Sequence, residues 1–184
     1  MNIESSIFRE YDIRGTYPEQ INESSIKSIA FAIAKRCKKD NISTLVVGRD
    51  GRMSGPALLE AFCEGLIESG INVDNIGLVT SPLLYFAAKK SASKSGIMIT
   101  GSHNPKNYNG IKMVINDSPI SGTEIYTLIN HEKNTNLEKG EIKYSDIKPI
   151  YLEEVCNNIS INNPEKLKVV LDCGNGAAGC IAPD

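Results

Sequence analysis

The sequence predicts a layered α/β sandwich, and two observations carry that prediction. Apolar residues recur at helical spacing in several segments, and short β-branched runs alternate with them. Glycine-bearing loops separate the two kinds of segment, so helices and strands take turns along the chain.

The first helix is marked by Ile26, Ile29, Ala30, Ile33, Ala34 and Cys37, with Asn22 and Ser24 as candidate caps before it. Thr44-Leu45-Val46-Val47 is a buried strand by its composition, and Gly48-Arg49-Asp50-Gly51-Arg52 is the loop it enters. A second helix turns Leu58, Leu59, Phe62, Leu66 and Ile67 inward and stops at Gly70. Residues 71–76 read as a strand, and a third helix starts near Pro82, a residue suited to a first helical turn. Residues 95–100 and 110–115 read as neighbouring strands, joined by the polar loop 101–109. Residues 121–133 fit a fourth helix, with His131 as an exposed residue at its end. The stretch 134–148 is polar and aperiodic, which predicts a domain linker. A helix over about 150–159, a strand over 167–171 and a glycine turn follow. Residues 1–149 thus read as one α/β domain, and 150–184 as the truncated opening of a second.

Composition narrows the function. The chain has 184 residues, 41% of them hydrophobic, enough for a core without covalent staples. A net charge of −2 argues against nucleic acid or an anionic membrane as partner. The first residues lack a basic stretch followed by an apolar one, and no run approaches the ~18 apolar residues of a membrane span. The five cysteines include no C-x-x-C pair, so they read as reduced thiols of a cytoplasmic protein. With His103 and His131 as the only histidines, a zinc site is not expected.

The loop Gly101-Ser102-His103-Asn104-Pro105-Lys106-Asn107-Tyr108-Asn109 is where chemistry is expected, since no core requires it. A serine that accepts and returns a phosphoryl group needs access, backbone N–H donors and nearby positive charge, which His103, Lys106 and Lys112 can supply. A plain surface turn has the same residue types, so spacing alone leaves both readings open. Arg49, Asp50 and Arg52 are expected to be structural, with Asp50 capping or pairing, so that Arg52→Ala is expected to act mainly through stability.

Four motifs bear on the choice. Thr100-Gly101-Ser102-His103-Asn104-Pro105, followed by Tyr108-Asn109-Gly110-Ile111-Lys112, resembles the phosphoserine loop of the α-D-phosphohexomutase family. Phe8-Arg9-Glu10-Tyr11-Asp12-Ile13-Arg14-Gly15 is similar to that family's N-terminal motif, and Gly48-Arg49-Asp50-Gly51-Arg52 to a third. Asp172-Cys173-Gly174-Asn175-Gly176 looks like its turn near the start of domain two. The wording is nearest to the bacterial phosphomannomutase/phosphoglucomutase branch.

The resemblance implies a layered α/β/α domain with a mixed sheet, plus the start of a second similar domain. It also implies interconversion of hexose 1-phosphate and hexose 6-phosphate, of mannose or glucose, through phosphorylated Ser102 and a bound 1,6-bisphosphate. On it, Ser102 carries the phosphoryl group and lends Mg²⁺ one ligand through its phosphate. Lys112, Arg14 and His103 serve catalysis, Lys112 as general acid/base. Tyr11 and Arg9 bind substrate. Asp12 and Glu10, read as carboxylates apart from the resemblance, are expected to orient the arginines or solvate the loop rather than catalyse. Glucose or mannose 1,6-bisphosphate is the implied activator, and the complete enzyme an implied monomer. Such enzymes have further loops for metal, sugar and distal phosphate that these residues do not contain, so the chain alone is expected to be inactive and to associate through its tail.

Two other functions remain on the page. Gly174-Asn175-Gly176-Ala177-Ala178-Gly179 matches the G-x-G-x-x-G dinucleotide pattern and follows the strand expected at 168–171, although Asp172 and Cys173 interrupt the approach. The second is a non-catalytic relative, which an intact Ser102 and Lys112 disfavour.

Overall fold

The computed structural model describes residues 3–129 and 138–184, and its architecture follows from which faces of its strands are apolar. Strand β1 (Ile13–Thr16) precedes helix α1 (Glu23–Lys39). Strand β2 (Thr44–Arg49), helix α2 (Gly55–Glu68), strand β3 (Asn72–Leu78), helix α3 (Ser81–Lys90) and strand β4 (Gly96–Ile99) then form two successive β–α–β units. Strand β5 (Tyr108–Ile115), the two-residue β6 (Ser118–Pro119), helix α4 (Gly122–Tyr126), strand β7 (Ile142–Tyr144) and helix α5 (Lys148–Asn157) complete the described elements.

The sheet order is β1-β5-β4-β2-β3-β7, with β6 beside β5. β4, β2, β3 and β7 run parallel, while β5 runs antiparallel to β4 and β1 antiparallel to β5, so the sheet is mixed. Side chains alternate across it. Leu45, Val47, Val73, Ile97, Ile99, Ile111 and Met113 face one way and pack with α1 and α2. Val46, Ile76 and Met98 face the other way and pack with Leu83, Leu84 and Ala87 of α3. Helices on both faces make the α/β/α layering the sequence predicts.

Local chemistry sets the boundaries. Asn22 Oδ1 accepts from the N–H groups of Ser24 and Ser25, and Ser25 Oγ accepts from the Asn22 N–H, closing a capping box that starts α1. Gly70, at φ +75°, ends α2 where a side chain would strain the backbone. α1 and α2 approach closely because Gly65 has no side chain; a Cβ there would stand 2.8 Å from Ala30 Cβ and from the Lys27 carbonyl oxygen.

Three expectations are corrected. The segment predicted as a linker contains β7, which pairs with β3 in register Val73↔Ile142 and Asp74↔Lys143, tied by Lys143 Nζ to Asp74 Oδ2 at 2.8 Å. Only Ile142 of its three residues is sheltered, so hydrophobic alternation could not announce it. The fourth helix is short, ending at Tyr126, and His131 lies outside the described residues. Residues 167–171 form no strand: Val169 and Val170 are 80% and 97% exposed, because no neighbouring strand pairs with them. Helix α5, by contrast, is anchored. Tyr151 meets Phe86 edge-on at 5.2 Å between ring centres, and Lys90 Nζ reaches Glu154 at 2.7 Å.

Candidate active site

Parallel strands bring their following loops together at one edge of the sheet, and a crevice at such an edge is where α/β folds bind ligands. A cavity of about 810 Å³ lies there. Asp50–Met53 after β2, Val79–Ser81 after β3, and Thr100, Ser102 and Asn104 after β4 line it, with Met98 on the sheet. Lys106, Asn107 and the turn Asn175–Ala178 complete the wall. α3 starts at this rim with Thr80 as N-cap, so the positive end of its dipole adjoins the cavity.

Ser102 sits at φ +53°, a left-handed conformation unusual for a residue with a side chain. The network that surrounds it begins at Asp50. Asp50 Oδ2 accepts from Thr100 Oγ1 at 2.7 Å and from the Gly101 N–H at 3.1 Å. Thr100 Oγ1 in turn accepts from the Ser102 N–H at 2.9 Å, and Asn104 Nδ2 donates to the Gly101 carbonyl at 2.8 Å. Below the loop, the buried Asn109 donates through Nδ2 to Ser54 Oγ at 2.8 Å. The Gly101, Ser102 and Asn104 N–H groups are therefore all engaged, the first by Asp50 and the other two by Thr100 Oγ1 and the Gly101 carbonyl. These three bonds, one to Asp50 and two within the loop, hold the loop's shape.

The predicted residues are distributed around this point. Ser102 lines the cavity, and its Oγ lies 3.4 Å from His103 Nδ1. Lys112 stands opposite Met98 across the β4–β5 ladder, and its neighbours Ile111 and Met113 point into the α1–α2 core. Alternation therefore places Lys112 on the Met98 face. Arg14 pairs with Gly110, while Ile13 pairs with the core residue Ile111, so Arg14 shares that face. Diagonal neighbours across an antiparallel pair are about 7–8 Å apart, so Arg14 and Lys112 form one basic patch. An ion pair to Asp12 fixes Arg14, as expected of an orienting carboxylate.

Arg9 and Tyr11 belong to the tight turn closed by the Phe8–Ile13 bridge and the Arg9 N–H to Asp12 carbonyl bond at 2.8 Å. Tyr11 is 76% exposed at its tip. Neither residue is among those lining the cavity, and nor are Arg14, Lys112 and His103.

Sequence reasoning missed Met98, Thr80 and Ser81, and it singled out the Asn175–Ala178 turn without placing it beside Ser102. The signal that could have found most of them is positional, since they end or follow parallel strands. The dinucleotide reading loses its context, because no strand precedes Gly174 and only a short 3₁₀ turn, Ala177–Cys180, follows it. Among the described residues, no helix is long and apolar enough to cross a membrane.

Comparison with known proteins bears on the same residues. Residues 5–136 match the family model described as phosphoglucomutase/phosphomannomutase, alpha/beta/alpha domain I. A phosphomannomutase/phosphoglucomutase of Pseudomonas syringae pv. tomato is 44% identical over 180 residues, covering 97% of this chain and 38% of that protein. A phosphoglucomutase of Neisseria meningitidis serogroup B is 37% identical, covering 98% of the chain and 40% of its own length. The crystal structure of a phosphoglucomutase/phosphomannomutase family protein from Burkholderia thailandensis superposes with a TM-score of 0.91 at 35% identity, over 99% of this chain and 42% of that one. The chain thus spans about two fifths of the length of these relatives.

Proposed function

Because the chain belongs to the phosphoglucomutase/phosphomannomutase family, we propose that it supplies the phosphoryl-carrying domain of a phosphohexomutase, with Ser102 as the carrier. The observation that carries this reading is the placement of Ser102: on the cavity wall, in a left-handed conformation, on a loop held by hydrogen bonds to Asp50 and Arg52 as well as its own. An ordinary surface turn needs no such support.

In the proposed reaction the bond from phosphorus to Ser102 Oγ breaks, and a new bond forms from phosphorus to a hydroxyl of a hexose monophosphate. That hydroxyl gives up its proton, and Ser102 Oγ takes one up. The product is a bound 1,6-bisphosphate of glucose or mannose, which also serves as activator. After it turns around, its other phosphate returns to Ser102, and hexose 1-phosphate has become hexose 6-phosphate or the reverse. Lys112 is the general acid/base of this scheme, His103 adjoins the carrier, and Tyr11 and Arg9 bind the sugar phosphate.

Charge explains the basic patch. Phosphoserine brings about −1.5 to −2 charges, and a sugar phosphate adds a similar load. Two such anions approach only where cations stand between them. Arg14 and Lys112 share one face of the sheet, and Lys106 lines the cavity.

The residues here do not fit a magnesium ion by themselves. Among the described residues no group of three His, Cys, Asp or Glu side chains converges. The carboxylate beside Ser102, that of Asp50, is already bonded to Thr100, Gly101 and Arg52. A phosphate on Ser102 would offer at most one ligand, so further donors would have to come from elsewhere.

The same reading makes residues from about 150 onward the opening of a second α/β/α domain, and a chain of these 184 residues inactive alone. The test of the function is Ser102→Ala in the complete enzyme. Coupled assays with mannose 1-phosphate and glucose 1-phosphate should show loss of the mutase cycle, and retained multiple turnover would refute the carrier role.

A further inference from the structure

We propose that Arg52 is a positioning residue that holds the Ser102 loop in its working shape, and that Gly101 lacks a side chain because Arg52 occupies that space. The catalytic consequence rests on Ser102 as phosphoryl carrier, whereas the effect on loop order does not.

The loop between β4 and β5 has few backbone partners of its own, so its carbonyl groups must be satisfied otherwise. Four of them converge on one side chain fifty or more residues away along the chain. Arg52 Nη1 donates to the Pro105 carbonyl at 2.6 Å and to the Tyr108 carbonyl at 2.8 Å. Nη2 donates to the Asn104 carbonyl at 2.6 Å and to the Ser102 carbonyl at 3.1 Å. Nε faces Asp50 Oδ2 at 3.6 Å. A guanidinium has five N–H donors in a rigid fork, and here the four on Nη1 and Nη2 each have a carbonyl acceptor while Nε makes only the longer ion-pair contact to Asp50. Four bonds to oxygens at fixed mutual positions fix the shape of the path between them. Lysine, with three donors on one nitrogen, cannot reproduce that spread.

The placement is reciprocal. A Cβ on Gly101 would overlap Nε and Cζ of Arg52, so a side chain there would displace the guanidinium from its present place. Asp50 holds both ends: its Oδ1 accepts from the Arg52 N–H at 3.0 Å, and its Oδ2 accepts from the Gly101 N–H. Ser102, in its left-handed conformation, lies between the bond to Thr100 on its N–H and the bond from Arg52 on its carbonyl. A conformation of that kind persists where its surroundings over-determine it.

This departs from the expectation that Arg52→Ala acts mainly through stability, and two measurements separate the two roles. Hydrogen exchange on the 184-residue chain should show Arg52→Ala raising exchange at the Asn104 and Tyr108 amides at least about tenfold, with α1 unchanged, as for a locally opened segment. In the complete enzyme the same substitution should lower kcat by about 10²-fold with KM within about twofold, the scale of a small misplacement of reacting groups. Arg52→Lys should rescue both only in part. Gly101→Ala should reproduce the pattern, and the double variant should be no worse than the worse single one, since both remove the same contact.

Unchanged loop exchange in Arg52→Lys and Gly101→Ala would overturn the proposal, and so would loop and α1 exchange rising together. Additive losses in the double variant would do the same. If Arg52→Ala does not fold, Arg52→Lys and Gly101→Ala decide the matter. A wild-type enzyme that never phosphorylates Ser102 would remove the mutase reading and leave the exchange result standing.

Discussion

Lys112 stands directly opposite Met98 across the antiparallel β4–β5 ladder, so its side chain rises from the face on which Met98 lines the Ser102 cavity. Arg14, one strand further out, shares that face. Lys112→Ala and Arg14→Ala are each expected to lower turnover of the complete enzyme about 10²-fold or more, the scale for one preorganised charged group. Steady-state kinetics check this, and near-normal turnover in either variant would withdraw that residue's role.

Gly65 tests the packing of the domain. On helix propensity alone, Gly65→Ala should stabilise α2 by up to about 1 kcal/mol. The added Cβ would lie 2.8 Å from both Ala30 Cβ and the Lys27 carbonyl oxygen, and a backbone oxygen cannot step aside. Overpacking should win, with a net loss of about 1–3 kcal/mol in urea unfolding.

Helices α1, α2 and α3 were legible in the sequence because each buries an apolar stripe; Ile26, Ile29, Ile33 and Cys37 on α1 are all fully buried. β7 was illegible because an edge strand of Ile142, Lys143 and Tyr144 buries too little to show alternation. Residues 167–171 show the opposite failure: β-branched composition reads as a strand, but a strand exists only where a partner pairs with it. Ser102 could be singled out from its loop and the resemblance. The Arg52 clamp could not, because it joins positions 50 residues or more apart, and local spacing has no record of such contacts.

Burial pushes the Cys37 and Cys63 thiols up to about 12. At pH 8 a thiol reagent should therefore label Cys156, Cys173 and Cys180, which are at least partly accessible, and reach the other two only after unfolding. The sign of the stability effect follows. A folded pKa raised above the ordinary value of 9.0 favours the folded state fully below about pH 9, and that contribution is lost as pH rises toward 12. Thermal unfolding at pH 8 and pH 10.5 should show the lower midpoint at the higher pH, and Cys37→Ser should not be a neutral repair.

The tail predicts association. Val169 and Val170 expose apolar surface in a segment with no strand partner. Sedimentation velocity of the 184-residue chain should show concentration-dependent self-association that Val170→Asp removes, and a monomer at every concentration would refute this. The same protein, shown folded by circular dichroism, should give no multiple turnover with either hexose 1-phosphate.

The account depends most on one covalent bond, and mass spectrometry can look for it. Complete enzyme incubated with glucose 1,6-bisphosphate should gain a single phosphate, and peptide mapping should place it on Ser102, with none gained by Ser102→Ala. A phosphate mapped to any other residue, or none in an enzyme that turns over, would contradict the role of Ser102 as the phosphoryl carrier.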